Sequence, residues 1–142
     1  CKQMLERQEK KGKKSAMIVT GSGLGCIPAA GTAHYSAAKA FARFIADSLG
    51  VEWAKNVDVL HYAAGEVNTK MLKRNTTNIR ICSAETAASS CLRDLGYERD
   101  TNGCLRHEVA VWFLNSLPVS LFQNMTFSIA EKTIKKIRKR EA

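Results

Sequence analysis

No two cysteines in this chain stand at C-x-x-C spacing, and their number is odd: Cys1, Cys26, Cys82, Cys91 and Cys104. Neither a disulfide framework nor a zinc site is indicated, and free thiols in a reducing compartment are the simplest account. The first residues, rich in Lys and Glu, do not read as a signal peptide, and none is expected there. The middle of the chain lacks the basic excess that the net charge of +9 suggests. Six Lys/Arg against two Glu fall in residues 1–14, and six against two again in residues 131–142. A nucleic-acid groove needs basic residues spread over a folded face, so no nucleic-acid partner is expected. Internal repeats are absent too. A lone Cys1 with no initiator Met leads to the expectation that something upstream is missing.

What is present fits a soluble α/β domain. There are 142 residues, 45% apolar and 25% charged, enough for one modest core. Residues 2–11 read as a helix end, with Lys10 and Lys11 in the last turn and Gly12 as C-cap. Ala16–Thr20 is a short apolar run expected to be a buried parallel strand. A Gly- and Ala-rich loop spans 21–33, then a helix from about His34 to Gly50 with Phe41, Phe44, Ile45 and Leu49 at helical spacing. Val57–Tyr62 is the next strand, and strand–helix–strand is the grammar of a parallel sheet. Residues 63–82 read as irregular. Ser83 caps a helix to about Leu95, ended by Gly96, and Tyr97–Gly103 reads as a polar connector. Residues 109–130 carry no charge, yet Asn115, Ser116, Gln123, Asn124 and Pro118 interrupt them. Two half-buried helices are expected there rather than a membrane span, with an interfacial segment as the intermediate reading. The basic tail, Lys132 to Arg140, reads as solvated, with contact to an anionic membrane as the rival. The sequons at Asn75 and Asn124 say little alone.

Tyr35 and Lys39 form Y-x-x-x-K, which puts phenol and ammonium on one helix face. Ser22 lies 13 residues earlier, just after a strand. Singly, the three read as a packing tyrosine, a surface lysine and a loop serine; together they suit carbonyl chemistry. Hydride addition to a ketone leaves its oxygen negative, so a proton donor must stand beside it. A free tyrosine holds its proton to about pH 10, and a neighbouring cation favours the phenolate. A serine hydroxyl can stabilise the developing charge. His61 and His107 read as structural, and the apolar residues of Trp112–Phe127 as core.

The segment I-V-T-G-S-G-L-G-C-I-P-A-A-G-T-A-H-Y-S-A-A-K, residues 18–39, resembles the active-site segment of short-chain dehydrogenases/reductases. The resemblance implies a catalytic Ser22, Tyr35 and Lys39. Val57–Thr69 resembles the strand and loop flanking the nicotinamide, with Ala64-Gly65 where the family has Pro-Gly. It implies cofactor contacts from Tyr35, Lys39, Gly65, Val67 and Thr69, and NADP(H) as cofactor, NAD not being excluded. G-Y-E-R-D-T-N-G-C-L-R-H-E, residues 96–108, is similar to the hydroxysteroid dehydrogenase and very-long-chain 3-oxoacyl-CoA reductase branch. The branch implies a lipid-like ketone substrate, a homodimer and the endoplasmic reticulum membrane or its cytoplasmic face.

The family's phosphate-cradling glycine turn is not found: at Gly21-Ser22-Gly23-Leu24-Gly25 the last glycine falls out of step, at Cys26 or Ile27. The expected fold is therefore a partial Rossmann-like, doubly wound parallel sheet, without its first strands, followed by C-terminal helices. Residues 1–142 read as a single partial domain, with an active-site segment at 15–70 and a substrate-side helical region with a basic tail at 83–142. A fragment of a longer parent, exposing an open sheet edge, is the expectation. The rivals are a remnant that binds no nucleotide and a lipid-surface module using residues 109–140.

Overall fold

The computed structural model describes residues 2–70 and 80–141; the sequon at Asn75 lies outside them. The chain runs α1 (Lys2–Lys11), β1 (Ser15–Thr20), a short 3-10 helix (Gly23–Gly25), α2 (Ala33–Glu52), β2 (Val57–Tyr62), β3 (Glu66–Asn68), β4 (Ile81–Ser83), α3 (Ala84–Asp94), β5 (Asp100–Thr101), α4 (Leu105–Asn115) and α5 (Val119–Glu141). The main sheet has the order β1-β2-β5 and is parallel throughout, with Ser15 opposite Val57 and Thr20 opposite Tyr62. β3 and β4 form a second parallel pair that sets Val67 beside Cys82.

The alternation of β2 explains the layers. Val57 and Val59 pack with Ala46, Leu49, Met4 and Leu5, the side of α1 and α2. Leu60 and Tyr62 point the other way, onto Cys82, Ala87, Cys91 and Cys104. Helices thus cover both faces, as the doubly wound reading expects. The caps follow local chemistry. The Gly12 N–H donates to Gln8 O at 2.8 Å with φ +62°, and Ser83 Oγ accepts the Thr86 N–H at 3.1 Å.

Three expectations are corrected. β1 is parallel but half-buried: it is the sheet edge, with Ala16, Ile18 and Thr20 exposed on the side from which α3 packs against β2. Residues 63–82 and 97–103 contain the short strands β3, β4 and β5, whose two or three residues are too few to show a period. Pro118 does divide two helices, but they are far less buried than expected. Trp112, Phe113 and Phe127 are 57–70% exposed, and Phe122 alone of that apolar set is deeply buried. None of the helices among the described residues is long and apolar enough to cross a membrane.

Candidate active site

Parallel pairing brings the carboxyl ends of β1 and β2 side by side, and the chain beyond each strand stays tied to the other. Gly21 N–H donates to Tyr62 O at 2.8 Å and Gly23 N–H to Ala64 O at 3.2 Å. Crevices outside the carboxyl ends of parallel strands are where open α/β sheets bind ligands. Ser22 stands on the first of these connections and Gly65, Val67 and Thr69 on the second.

Ser22 is buried and precedes the 3-10 helix, accepting the Leu24 N–H on its Oγ at 3.3 Å. A hydroxyl that accepts there keeps its proton for another acceptor. Tyr35 and Lys39 lie in the first two turns of α2. The Lys39 ammonium sits 5.8 Å from the centroid of the Tyr35 ring and donates to Thr20 O at 3.3 Å, two residues before Ser22. Tyr35 itself is 41% exposed, open to a ligand. Gly25 makes this placement possible. A Cβ there would lie 2.8 Å from the Lys39 carbonyl carbon and 2.9 Å from its Cβ, so the loop packs directly on the α2 backbone where Lys39 projects. The structure therefore joins Lys39 to Tyr35 and to the Ser22 loop. Gly65 and Thr69 are exposed and Val67 is half-buried, on the connection that follows β2.

Helix α4 lies across both connections. His107 packs against Gly65, where a Cβ would stand 2.6 Å from Nδ1, and Val111 Cγ2 is 3.4 Å from the Cβ position of Gly23. These two residues are one turn apart on one helix face, so α4 bridges the Gly65 and Gly23 loops.

Tyr62 is a second tyrosine near the crevice but unsuited to proton exchange. Burial, then the neighbouring Cys82, Cys91 and Cys104, push it up to about 12. Burial, then the adjoining Cys104, also pushes the Cys82 thiol up, which disfavours a nucleophilic role.

Sequence reading missed what supports the floor of the site. His61 is 1% exposed, and its Nδ1–H donates to Asp100 Oδ1 at 2.7 Å, since a carboxylate only accepts. Asp100 Oδ2 pairs with Arg43 at 2.9 Å, and Arg43 donates to Cys26 Sγ at 3.4 Å. α2, β2, β5 and the loop after Ser22 are thus locked by one polar chain. The only sequence signal was a histidine in an apolar strand, with an aspartate 39 residues on.

Burial acts to raise the Asp100 carboxyl, but the His61 hydrogen bond and the Arg43 charge outweigh it and hold the group below its ordinary value. A depressed folded pKa stabilises above the unfolded value, about 3.9, and this contribution is lost as pH falls through the folded value. Asp100→Asn is expected to cost about 1–2 kcal/mol near neutral pH, discounted because the side chain is one-third exposed. It also flattens the acid limb of stability against pH. Urea melts at pH 7 and at a pH below the ordinary carboxylate value, about 3, check both, and equal midpoints for the two proteins at pH 7 would contradict the role.

Known proteins resemble this chain in sequence and in fold. The family model described as short chain dehydrogenase matches residues 1–80. The very-long-chain 3-oxoacyl-CoA reductase of Anas platyrhynchos is 31% identical over 138 residues, covering 96% of this chain and 41% of that protein. The Homo sapiens enzyme of that name is 30% identical over 131 residues, covering 89% and 42%. Homo sapiens 17-beta-hydroxysteroid dehydrogenase type 3 is 28% identical over 126 residues, covering 88% and 41%. The chain spans about two-fifths of the length of these relatives. A solved structure from work on 7beta-hydroxysteroid dehydrogenase stereoselectivity superposes with a TM-score of 0.70 at 19% identity, covering 78% of this chain and 47% of that one; it shows the fold. Relatives, fold and family match agree, and the chain belongs to the short chain dehydrogenase family.

Proposed function

We propose that this chain supplies the catalytic half of an NADP(H)-dependent reductase of a lipid-like ketone, a 3-oxoacyl-CoA or a steroid. The observation that carries the reading is the Lys39 ammonium held between the Tyr35 ring and Thr20 O, at the carboxyl ends of β1 and β2. The residues fit the nicotinamide end of the cofactor. Tyr35, Gly65 and Thr69 are exposed, and Lys39 offers donors to a ribose. The pyrophosphate end has no such fit among the described residues. Gly23 and Gly25 lie in a 3-10 helix, and Gly25 packs against Lys39 rather than opening a cradle of N–H groups.

A reduced nicotinamide, if held by Tyr35 and Lys39, would supply the hydride chemistry at the carbonyl carbon. Around it, Ser22 Oγ donates a hydrogen bond to the carbonyl oxygen, where negative charge develops. Tyr35 Oη delivers the proton to that oxygen. The Lys39 charge lowers the cost of the phenolate left behind. Helix α4, with Val111 at the Gly23 loop, forms one wall against water.

The substrate class follows the names of the relatives, a 3-oxoacyl-CoA reductase and a 17-beta-hydroxysteroid dehydrogenase. Exposed apolar side chains on α4 and α5, among them Trp112, Phe113, Leu121 and Phe127, support an apolar partner. Phe41 and Phe44, 65% and 69% exposed on α2, support pairing with a second copy. Location at an endoplasmic reticulum membrane face rests on the branch and on the basic end of α5.

One observation favours a second reading, in which the chain alone binds no nucleotide: β1 is an open edge with Ile18 exposed. Spectrophotometric turnover of NADPH with a 3-oxoacyl-CoA and with a 17-ketosteroid separates the two. The proposal expects substrate-dependent oxidation of NADPH by the folded chain. Its absence with both substrates favours the inactive remnant.

A further inference from the structure

Cys82 on β4 and, from a second segment, Cys104 before α4 and His107 in its first turn meet in one buried cluster. Their ligand atoms all lie within 4.8 Å of one another. Relative exposures are 2%, 8% and 6%. The orientation of the histidine is set by its other nitrogen. His107 Nε2 lies 3.0 Å from Arg80 O, and a carbonyl only accepts, so Nε2 carries the proton. Nδ1 is then a bare lone pair, buried and without a hydrogen-bond partner. A buried imidazole lone pair that faces nothing is costly. The Tyr62 hydroxyl, in the same cluster as both cysteines, is a second buried polar atom without a partner.

We propose that Cys82, Cys104 and His107 bind a thiophilic divalent cation of the zinc class, through two sulfurs and Nδ1. A backbone carbonyl fixing the tautomer of a ligating histidine is a recurrent support of such sites. Two thiolates neutralise a divalent charge, which removes the penalty of burying it. Metal–sulfur bonds of about 2.3 Å and metal–nitrogen bonds of about 2.0 Å place tetrahedral ligands about 3.5–3.8 Å apart. The cluster closes to that spacing by rotation about the cysteine side chains. Binding releases both thiol protons and leaves one coordination position for water or another donor.

The support around Cys104 is already rigid. Glu108 accepts from Asn102 N–H at 2.6 Å and from Asn102 Nδ2 at 2.8 Å, while Thr101 donates to Asp94 at 2.7 Å. Gly103, at φ +82°, turns the chain beside the Tyr62 ring, 2.9 Å from where its Cβ would be. A metal here would join β4 to α4 and, through His107, brace the Gly65 loop. The role is structural and independent of the proposed reductase activity.

Co2+ titration of the reduced chain tests this. The folded wild type is expected to take up one equivalent, with visible d–d absorption of tetrahedral Co2+ and a near-ultraviolet thiolate charge-transfer band, both displaced by Zn2+. Cys82→Ser, Cys104→Ser and His107→Gln each weaken uptake at least about tenfold, and Cys26→Ser leaves it unchanged. Circular dichroism reports whether each variant folds. For any that does not, alkylation of the wild type read by peptide mass is the arbiter: bound metal is expected to protect Cys82 and Cys104 against the metal-free chain. Three results overturn the proposal: no thiolate band in folded, reduced wild type; a band that survives Cys104→Ser; or equal alkylation of the two cysteines with and without metal. A Cys82–Cys104 disulfide in chain isolated under thiol-blocking conditions also overturns it.

Discussion

Exchanging Tyr35 for phenylalanine lowers ketone reduction by about 10²–10⁴-fold and leaves NADPH affinity within about twofold. The exchange removes one oxygen from a residue that is 41% exposed at the start of α2. Little packing is lost, so the helix and the Lys39 anchor on Thr20 O persist. What disappears is the only proton donor assigned to the forming alkoxide. Ser22 still donates a hydrogen bond to that oxygen, which leaves residual rate from charge stabilisation. Rate and affinity measured together distinguish this from a binding defect. A Tyr35→Phe protein with wild-type turnover would exclude Tyr35 as the acid, and attention would move to Ser22.

Alanine at Gly21 is expected to destabilise the fold by about 2–3 kcal/mol, with a matching drop in the urea midpoint. A methyl group there would fall on Nε2 of His61 and 2.8 Å from its Cε1. His61 has nowhere to go: it is 1% exposed, and Asp100 and Arg43 hold its other side. Relief therefore requires β1 and β2 to separate at Gly21–Tyr62, the hydrogen bond that aligns Ser22 with the crevice. Stability and activity fall together. Gly23→Ala is the internal comparison, because its methyl would meet only Val111 Cγ2, at 3.4 Å. Equal midpoints for Gly21→Ala and wild type would contradict the packing described.

Much of this was legible in the sequence where one local signal sufficed. The apolar run before Ser22, the helical period through Phe41 and Leu49, and Ser83 as cap each encode their element within a few residues. Tyr35 and Lys39 share a face because any helix brings i and i+4 together. What the sequence hid depends on tertiary neighbours. Ile18 looks like core in a strand but is exposed at the sheet edge. β5 is two residues long and exists only through pairing with His61 and Tyr62. Trp112 and Phe127 look like core residues and are exposed, because burial requires a partner surface that composition does not reveal. Gly25 stood among other glycines, and only the approach of Lys39 shows why a side chain is excluded. Cys104 and His107 stand three residues apart, yet His107 reads from sequence as merely structural, and Cys82 comes beside them only once β4 is placed beside β3.

Isothermal titration of the 142-residue chain with NADPH, with Lys39→Ala alongside, separates a working nucleotide site from an idle motif. Saturable binding is expected, weakened by Lys39→Ala by about tenfold or more, since Lys39 offers charged donors to the nicotinamide ribose. A chain that is folded by circular dichroism yet takes up no NADPH, or binds it equally well with Lys39→Ala, would contradict the proposed function and leave an inherited but idle motif.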